Sequence, residues 1–278
     1  MISLYRTFIK IYVLVIALSL LSCVDDEVVR LQTDVTAEGE EMFNTSFTIS
    51  EHVHLIIQPF NRFLEVENDT TLRLPGCPIV NVNQEERKVL LTYDPRTECP
   101  NNSLRRSGTI SLFYTTSLLN NEEVVLVEYE NYSVRNSRIE GSRLVTKRSE
   151  ALSNLFKDTM AQLLIFDEHG SSTRVTAEYE HQVMVAADST LQINTTGSGG
   201  GRNQAGRSFN FTIPNQKIQF VRCIDSGIFV PSIGQEAWTF ERTVNPAVNH
   251  RMNFGETSDC DRNVSVVLSN GETLNLTP

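Results

Sequence analysis

From residue 109 onward the chain keeps returning to one pattern, a run of alternating side chains followed by a few turn formers. TISLFYTT (Thr109–Thr116) is rich in β-branched and aromatic residues. Asn120-Asn121 then supplies a turn, and EVVLVEYENYSV (Glu123–Val134) sets Val125, Val127 and Tyr129 against Leu126, Glu128 and Glu130. Asn136-Ser137 interrupts, and RIEGSRLVTK (Arg138–Lys147) resumes the extended pattern. A period of two places alternate residues on opposite faces of a strand, and short polar breaks join such strands as antiparallel hairpins. NVSVVLSNGETLNL places Asn270-Gly271 between two alternating runs, which predicts a hairpin with a type I′ turn.

One segment carries a competing signal. In SEALSNLFKDTMAQLLIFD, Leu152, Leu155, Phe156, Met160, Leu163 and Leu164 fall at helical spacing behind a possible cap at Ser149. It runs into the turn Asp167–Gly170 and then into STRVTAEYEHQVMV, so a hairpin from Leu155 to Val185 is the reading preferred here. NTTGSGGGRNQAGRS (Asn194–Ser208) reads as a mobile, exposed loop. The expected fold class is all-β, a long antiparallel meander forming a curved barrel-like sheet or a sandwich, with two β units as an option. The divisions are 1–22 signal peptide, 23–45 acidic flexible tether, 46–196 first β-rich region, 197–207 glycine-rich loop and 208–278 second β-rich region.

The N-terminus gives an address. Arg6 and Lys10 precede Ile11–Leu21, an unbroken apolar and small-residue run that is short for a membrane-spanning helix. Leu20-Leu21-Ser22-Cys23 resembles a bacterial lipobox, in which the peptide is cut before a cysteine that carries the lipid. Several acyl chains on one cysteine give a stable tether where a single chain is marginal. Val24-Asp25-Asp26-Glu27 resembles the acidic export signal of Bacteroidetes surface lipoproteins, although a solvated linker has the same composition. Loss of residues 1–22 removes Arg6 and Lys10 and moves the formal charge from −10 to −12. A basic stripe for nucleic acid is absent, and none is expected as a partner.

With Cys23 set aside, Cys77, Cys99, Cys223 and Cys260 remain. An even number in an exported chain points to disulfides, and four cysteines allow three connectivities. VLLTYDPRTEC and HRMNFGETSDC echo one another, each bringing a strand, an acidic turn and a cysteine.

LRLPGCPIVNV, RKVLLTYDPRTEC, RRSGTISLFYTT, YENYSVRNSRIEGSRLVT, RSFNFTIP and VRCIDSGIFVPSIG stand in an order that resembles a family of β-rich cell-surface lipoproteins of the Bacteroidetes. The resemblance spans Leu72 to Leu276 and favours strand over helix at Leu155–Phe166. It brings no catalytic residues with it. Asp94-Pro95-Arg96-Thr97-Glu98 replaces the glycine-bearing turn of that pattern before its second cysteine.

Reaction motifs are scarce. GRNQAGRS (Gly201–Ser208) is one residue from a phosphate loop, but FNFTIP follows it where a helix is required. His52-x-His54 would share one face of a strand and start a zinc site, yet no third ligand stands at useful spacing. No Gly-x-Ser-x-Gly elbow occurs. Glu128 and Glu130 share a strand face, as glycosidase carboxylates can and as solvated strands often do. Asp-Ser/Thr-apolar matches make Thr70, Thr159 and Ser189 candidate O-glycosylation sites. Trp238, Phe240, Tyr132 and Phe254 are a candidate sugar-stacking platform, with core packing as the alternative.

The sequence therefore predicts a lipid-anchored protein of the outer-membrane surface, without catalytic residues, metal or cofactor. Its expected role is binding a glycan or an envelope protein. An envelope-maintenance role without a soluble ligand is the alternative, and a secreted hydrolase a distant one.

Overall fold

The computed structural model describes residues 34–278 except 70, 98, 100–103, 119–121, 151–152, 187–188 and 243–245. The helical elements come first: α1 (Val35–Ser50), α2 (Val53–Ile56) and α3 (Phe60–Asn68). The strands follow as β1 (Ile79–Asn83), β2 (Lys88–Tyr93), β3 (Arg106–Thr116), β4 (Glu123–Val134), β5 (Ser137–Glu150), β6 (Ser153–Phe166) and β7 (Ser172–Ala186). After them come β8 (Ser189–Arg202), β9 (Ser208–Phe220), the short α4 (Val221–Asp225), β10 (Ile233–Phe240), β11 (Val248–Asn253), β12 (Val264–Val267) and β13 (Thr273–Leu276).

Among the described residues, these thirteen strands form one antiparallel sheet in sequence order, with β1 and β13 at opposite edges. It is a single open meander in one compact unit, Val35–Pro278. The sandwich and the two-unit option are not what forms. Side chains of β3, β4, β5, β7, β9, β10 and β11 all reach the segment Glu38–His52, which requires the sheet to curl around that segment. Both edges are sheltered, as an exposed strand edge invites pairing with another chain. On β1, the Val82 N–H donates to Glu67 Oε1 of α3 (2.7 Å), and α1 packs against β12 and β13.

The helix–strand conflict over 149–166 resolves in favour of strand. Leu155 to Phe166 lies in β6, paired with β5 and β7, with Phe156, Met160, Leu163 and Ile165 turned inward. A shift of register between Met160 and Leu163 accounts for the helix-like spacing. A similar irregularity in β4 turns both Tyr129 and Tyr132 inward. Asn131 between them has φ 51°, and a Cβ on the facing Gly108 would fall 2.2 Å from the Asn131 carbonyl oxygen. The bulge therefore needs glycine at residue 108.

Four expectations are corrected. The tether stops short of residue 45, because Val35–Ser50 is a helix that buries Glu38, Met42, Phe43, Phe47 and Ile49. The glycine-rich stretch is not a loop over residues 197–207. Strand β8 continues to Arg202, and Gly199 and Gly201 let the Phe211 and Phe209 rings approach closer than a side chain would allow. Only Asn203–Arg207 turns, closed by Arg207 N–H donating to Asn203 Oδ1 (2.8 Å). The Asn270-Gly271 hairpin forms, but Leu268 and Glu272 close a three-residue loop. Only Gly271 has positive φ there (89°), so a left-handed glycine ends the loop and the turn is not type I′. His52 and His54 belong to the helical segment and not to a strand.

The four cysteines pair as neighbours, Cys77 with Cys99 and Cys223 with Cys260. On the chain-entropy model each bridge stabilises by about 3–4 kcal/mol.

Candidate functional site: a buried charged seam

The concave face of the sheet is not a plain apolar core. Strands β3 to β7 send charged and aromatic side chains inward at alternate positions, and the turn between α1 and α2 meets them. Glu51, 1 % exposed, accepts from Arg106 Nε (3.2 Å) and Nη2 (2.9 Å), from the Tyr132 hydroxyl, and from His52 Nδ1 (3.2 Å). With Nδ1–H donated to Glu51, His52 Nε2 accepts from the Tyr129 hydroxyl (2.5 Å) and from Arg143 Nη1 (2.9 Å). Arg143 Nη1 also donates to the Ile49 carbonyl (2.9 Å), tying β5 to the end of α1. Arg143 pairs with Asp158, Asp158 accepts from His181 Nε2 (3.2 Å), and Thr195 Oγ1 donates to His181 Nδ1 (2.9 Å).

Charge within this seam is matched. Burial alone would raise the Glu51 carboxyl, but Arg106, His52 and Tyr132 outweigh it and hold it well below the usual carboxylate range. Asp158 is held down against burial by Arg143 and His181. Burial, reinforced by Arg143, lowers His52 and His181, so both imidazoles are neutral. Burial raises the Tyr129 and Tyr132 hydroxyls well above their ordinary value.

Two further clusters continue along the same face. Lys217 Nζ donates to Glu236 Oε1 (2.5 Å), which also accepts from Ser46 Oγ (2.8 Å), and Trp238 Nε1 donates to Oε2 (2.9 Å). Glu38 accepts from Arg207 (2.9 Å), Arg242 (2.5 Å) and His250 Nε2 (3.3 Å). Burial would raise the Glu38 carboxyl, but His250, Arg242 and Arg207 bring it down to about 2.

Asp158, His181 and Thr195 have the connectivity of an acid, a base and a hydroxyl nucleophile. Thr195 is buried on the sheet interior, and Asp158 is spent on Arg143. The seam clamps the helical segment to the sheet and does not present a reactive atom to solvent. A cleft of about 620 Å³ lies elsewhere, over the glycines of β8 with Glu178, Asn210 and Glu241 on its walls.

The predicted site residues scatter. Trp238 (2 % exposed), Phe240, Tyr132 and Phe254 are buried in the core, so they are not an exposed sugar platform. Trp238 stacks on Phe211 at 4.7 Å between centroids, which uses the face a sugar would need. Glu128 and Glu130 are exposed. His52 joins the seam, while His54 packs on Phe229 at 5.5 Å, and among the described residues no cluster suits a metal ion. Thr159 is half-buried within β6; Thr70 lies outside the described residues, as does Cys23, and nothing is described of the Ser189 side chain. Arg207 of the phosphate-loop-like GRNQAGRS pairs with Glu38 and precedes a strand.

Sequence reasoning passed over the seam. Its signal was an ionisable residue on the inward phase of an apolar run with a period of two: Phe156-x-Asp158-x-Met160, Tyr179-x-His181-x-Val183 and Glu236-x-Trp238-x-Phe240. No family model, curated protein or solved structure matches this chain.

Proposed function

We propose that this chain is a lipid-anchored, non-catalytic binding or adhesion module of the outer-membrane surface, held by Cys23. The observation that carries the reading is the fate of the cysteines. Cys77, Cys99, Cys223 and Cys260 are consumed in two bridges, which leaves Cys23, directly behind the apolar run, with no cysteine partner in its own chain. Acidic residues, Asp25, Asp26 and Glu27, follow it in the sequence. The non-catalytic part rests on the seam, whose ionisable groups are paired with one another, and on the solvent-facing Glu128 and Glu130.

Metabolic labelling with a clickable fatty acid tests the anchor. Label on the natural chain and none on Cys23→Ala supports it, and an unlabelled natural chain overturns it. Protease shaving of whole cells then separates an outer-surface location, which gives cleavage, from one inside the envelope, which gives protection.

A further inference from the structure

The outer face of the sheet carries a trough across its strands. One register row runs through five of them: Thr176 of β7 pairs with Gly200 of β8, Gly200 with Asn210 of β9, Asn210 with Thr239 of β10, and Thr239 with Asn249 of β11. Their chain neighbours, Val175, Phe209, Phe211, Trp238, Phe240 and His250 among them, are buried, so the row itself points outward. Gly200 and Asn210 line the cleft of about 620 Å³ over β8, and Thr239 and Asn249 line a second of about 510 Å³. Asn210 and Thr239 are register partners, so the two clefts abut.

Gly200 makes the notch at its centre. Gly199 and Gly201 make room for aromatic rings, but Gly200 stands on the outer phase, where no ring takes its space. A Cβ there would fall 2.6 Å from both Asn210 Oδ1 and the Phe209 carbonyl oxygen, so the backbone keeps the notch open against any larger residue. Glycine inside a strand weakens it and often marks the close approach of a ligand. The row around the notch is uncharged. Threonine hydroxyls and asparagine amides both donate and accept hydrogen bonds. Thr239 Oγ1 donates to Asn249 Oδ1 (2.7 Å), which fixes Asn249 as a donor through Nδ2. The charges at the margins offset one another: Glu178 pairs with Lys157 (3.0 Å), and Glu241 and Arg251 are of opposite sign.

We propose that this trough binds an extended, uncharged oligosaccharide laid across β7 to β11. Neighbouring strands are about 4.8 Å apart, close to the length of one pyranose unit in an extended chain, so each strand meets one sugar. Sugar hydroxyls donate and accept as the row does, whereas a charged ligand would find no counter-charge within it. Phe209 and Trp238 border the trough only from beneath, being buried, so hydrogen bonds and not ring stacking hold the chain. The inference rests on the reading of this chain as a binding module and names its ligand class. It does not rest on anchoring at Cys23, so failure of the labelling experiment leaves it standing.

The full chain in detergent, labelled with nitrogen-15, is titrated with cellohexaose and with xylohexaose, and with an oligogalacturonate as the charged control. Saturable shifts of the Thr176, Asn210, Thr239 and Asn249 amides are expected with a neutral hexaose and not with the control. Asn210→Ala and Asn249→Ala, both at exposed positions, should each weaken binding up to about tenfold, the effect of one lost hydrogen bond, with melting temperature unchanged. No saturation with either hexaose, tighter binding of the charged control, or unchanged affinity in both variants would overturn the proposal. Shifts confined to another surface would overturn it too, while leaving the binding-module reading intact. That reading, and this proposal with it, falls if the natural chain captures neither glycan nor envelope protein in pulldown.

Discussion

The Glu51 and Glu236 clusters bury the same kind of pair in opposite ways. Glu51 comes from the helical segment and reaches out to the sheet, to Arg106 of β3 and Tyr132 of β4, while its neighbour His52 extends the link to Arg143 of β5. Glu236 comes from the sheet itself and pairs with Lys217 on the adjacent β9. The helix only tops that pair, through Ser46 and Ser50. The first cluster therefore docks the helical segment, whereas the second staples two neighbouring strands. Among the described residues the first also leaves Arg106 Nη1 unpaired, while Glu236 is served by three donors from three residues.

The largest expected effect is at Glu51. Glu51→Gln keeps the shape but leaves the Arg106 charge buried and uncompensated, which should cost about 3–5 kcal/mol in urea unfolding. Amide exchange in Val53–Ile56 should quicken with it, because the docking contact goes. Lys217→Met should cost about 3 kcal/mol, the low end of the same range, as Ser46 and Trp238 still serve the Glu236 carboxylate. Adding Glu236→Leu should recover most of that loss, since an apolar replacement of both partners is often neutral. Equal acceleration of Val53–Ile56 exchange in both single variants would break the distinction between docking and stapling.

Acid separates the regions by window. Burial, with the nearby Arg106 adding to it, lowers His54 to about 3 from an ordinary value near 6.5. The unfolded chain then binds the proton first, so this stability is present above pH 6.5 and is lost as pH falls toward 3. Glu38, held at about 2, contributes stability that is present above about pH 4.5 and lost between there and pH 2. Between pH 6.5 and 4.5 the loss therefore belongs to the histidines, His52 and His181 included, while Glu38 still holds. His54→Phe should flatten the slope of unfolding free energy in that window by up to about 1.4 kcal/mol per pH unit. An unchanged slope between pH 6.5 and 4.5 would show that His54 is not the neutral, buried group described.

Most of the sheet was legible because its outward residues meet water and its inward ones do not, which writes a period of two into β3, β4 and β7. The helix at Val35–Ser50 was not. It lies in a trough lined partly by polar groups, so Glu38, Thr45, Ser46, Thr48 and Ser50 are buried and the usual apolar stripe is missing. The same cause hid the seam. A lysine at residue 217 or an arginine at residue 143 reads as solvent-facing until the partner carboxylate, remote in sequence or on a neighbouring strand, is placed beside it. The aromatic platform failed for the converse reason: Trp238 and Phe240 sit on the inward phase of β10, and sequence alone left that phase unassigned.

The smallest effects test whether pairing, and not mere burial, separates the clusters. Trp238→Phe removes a donor from a buried carboxylate and should cost about 1–3 kcal/mol. Tyr93→Phe removes a hydroxyl that is just as buried but has no hydrogen-bond partner among the described residues, so it should fall within about 0.5 kcal/mol of the natural chain or stabilise it. Urea unfolding of the two variants side by side decides the point. A loss at Tyr93 as large as that at Trp238 would mean that Tyr93 has an acceptor, and the contrast between paired and unpaired buried groups would fall with it.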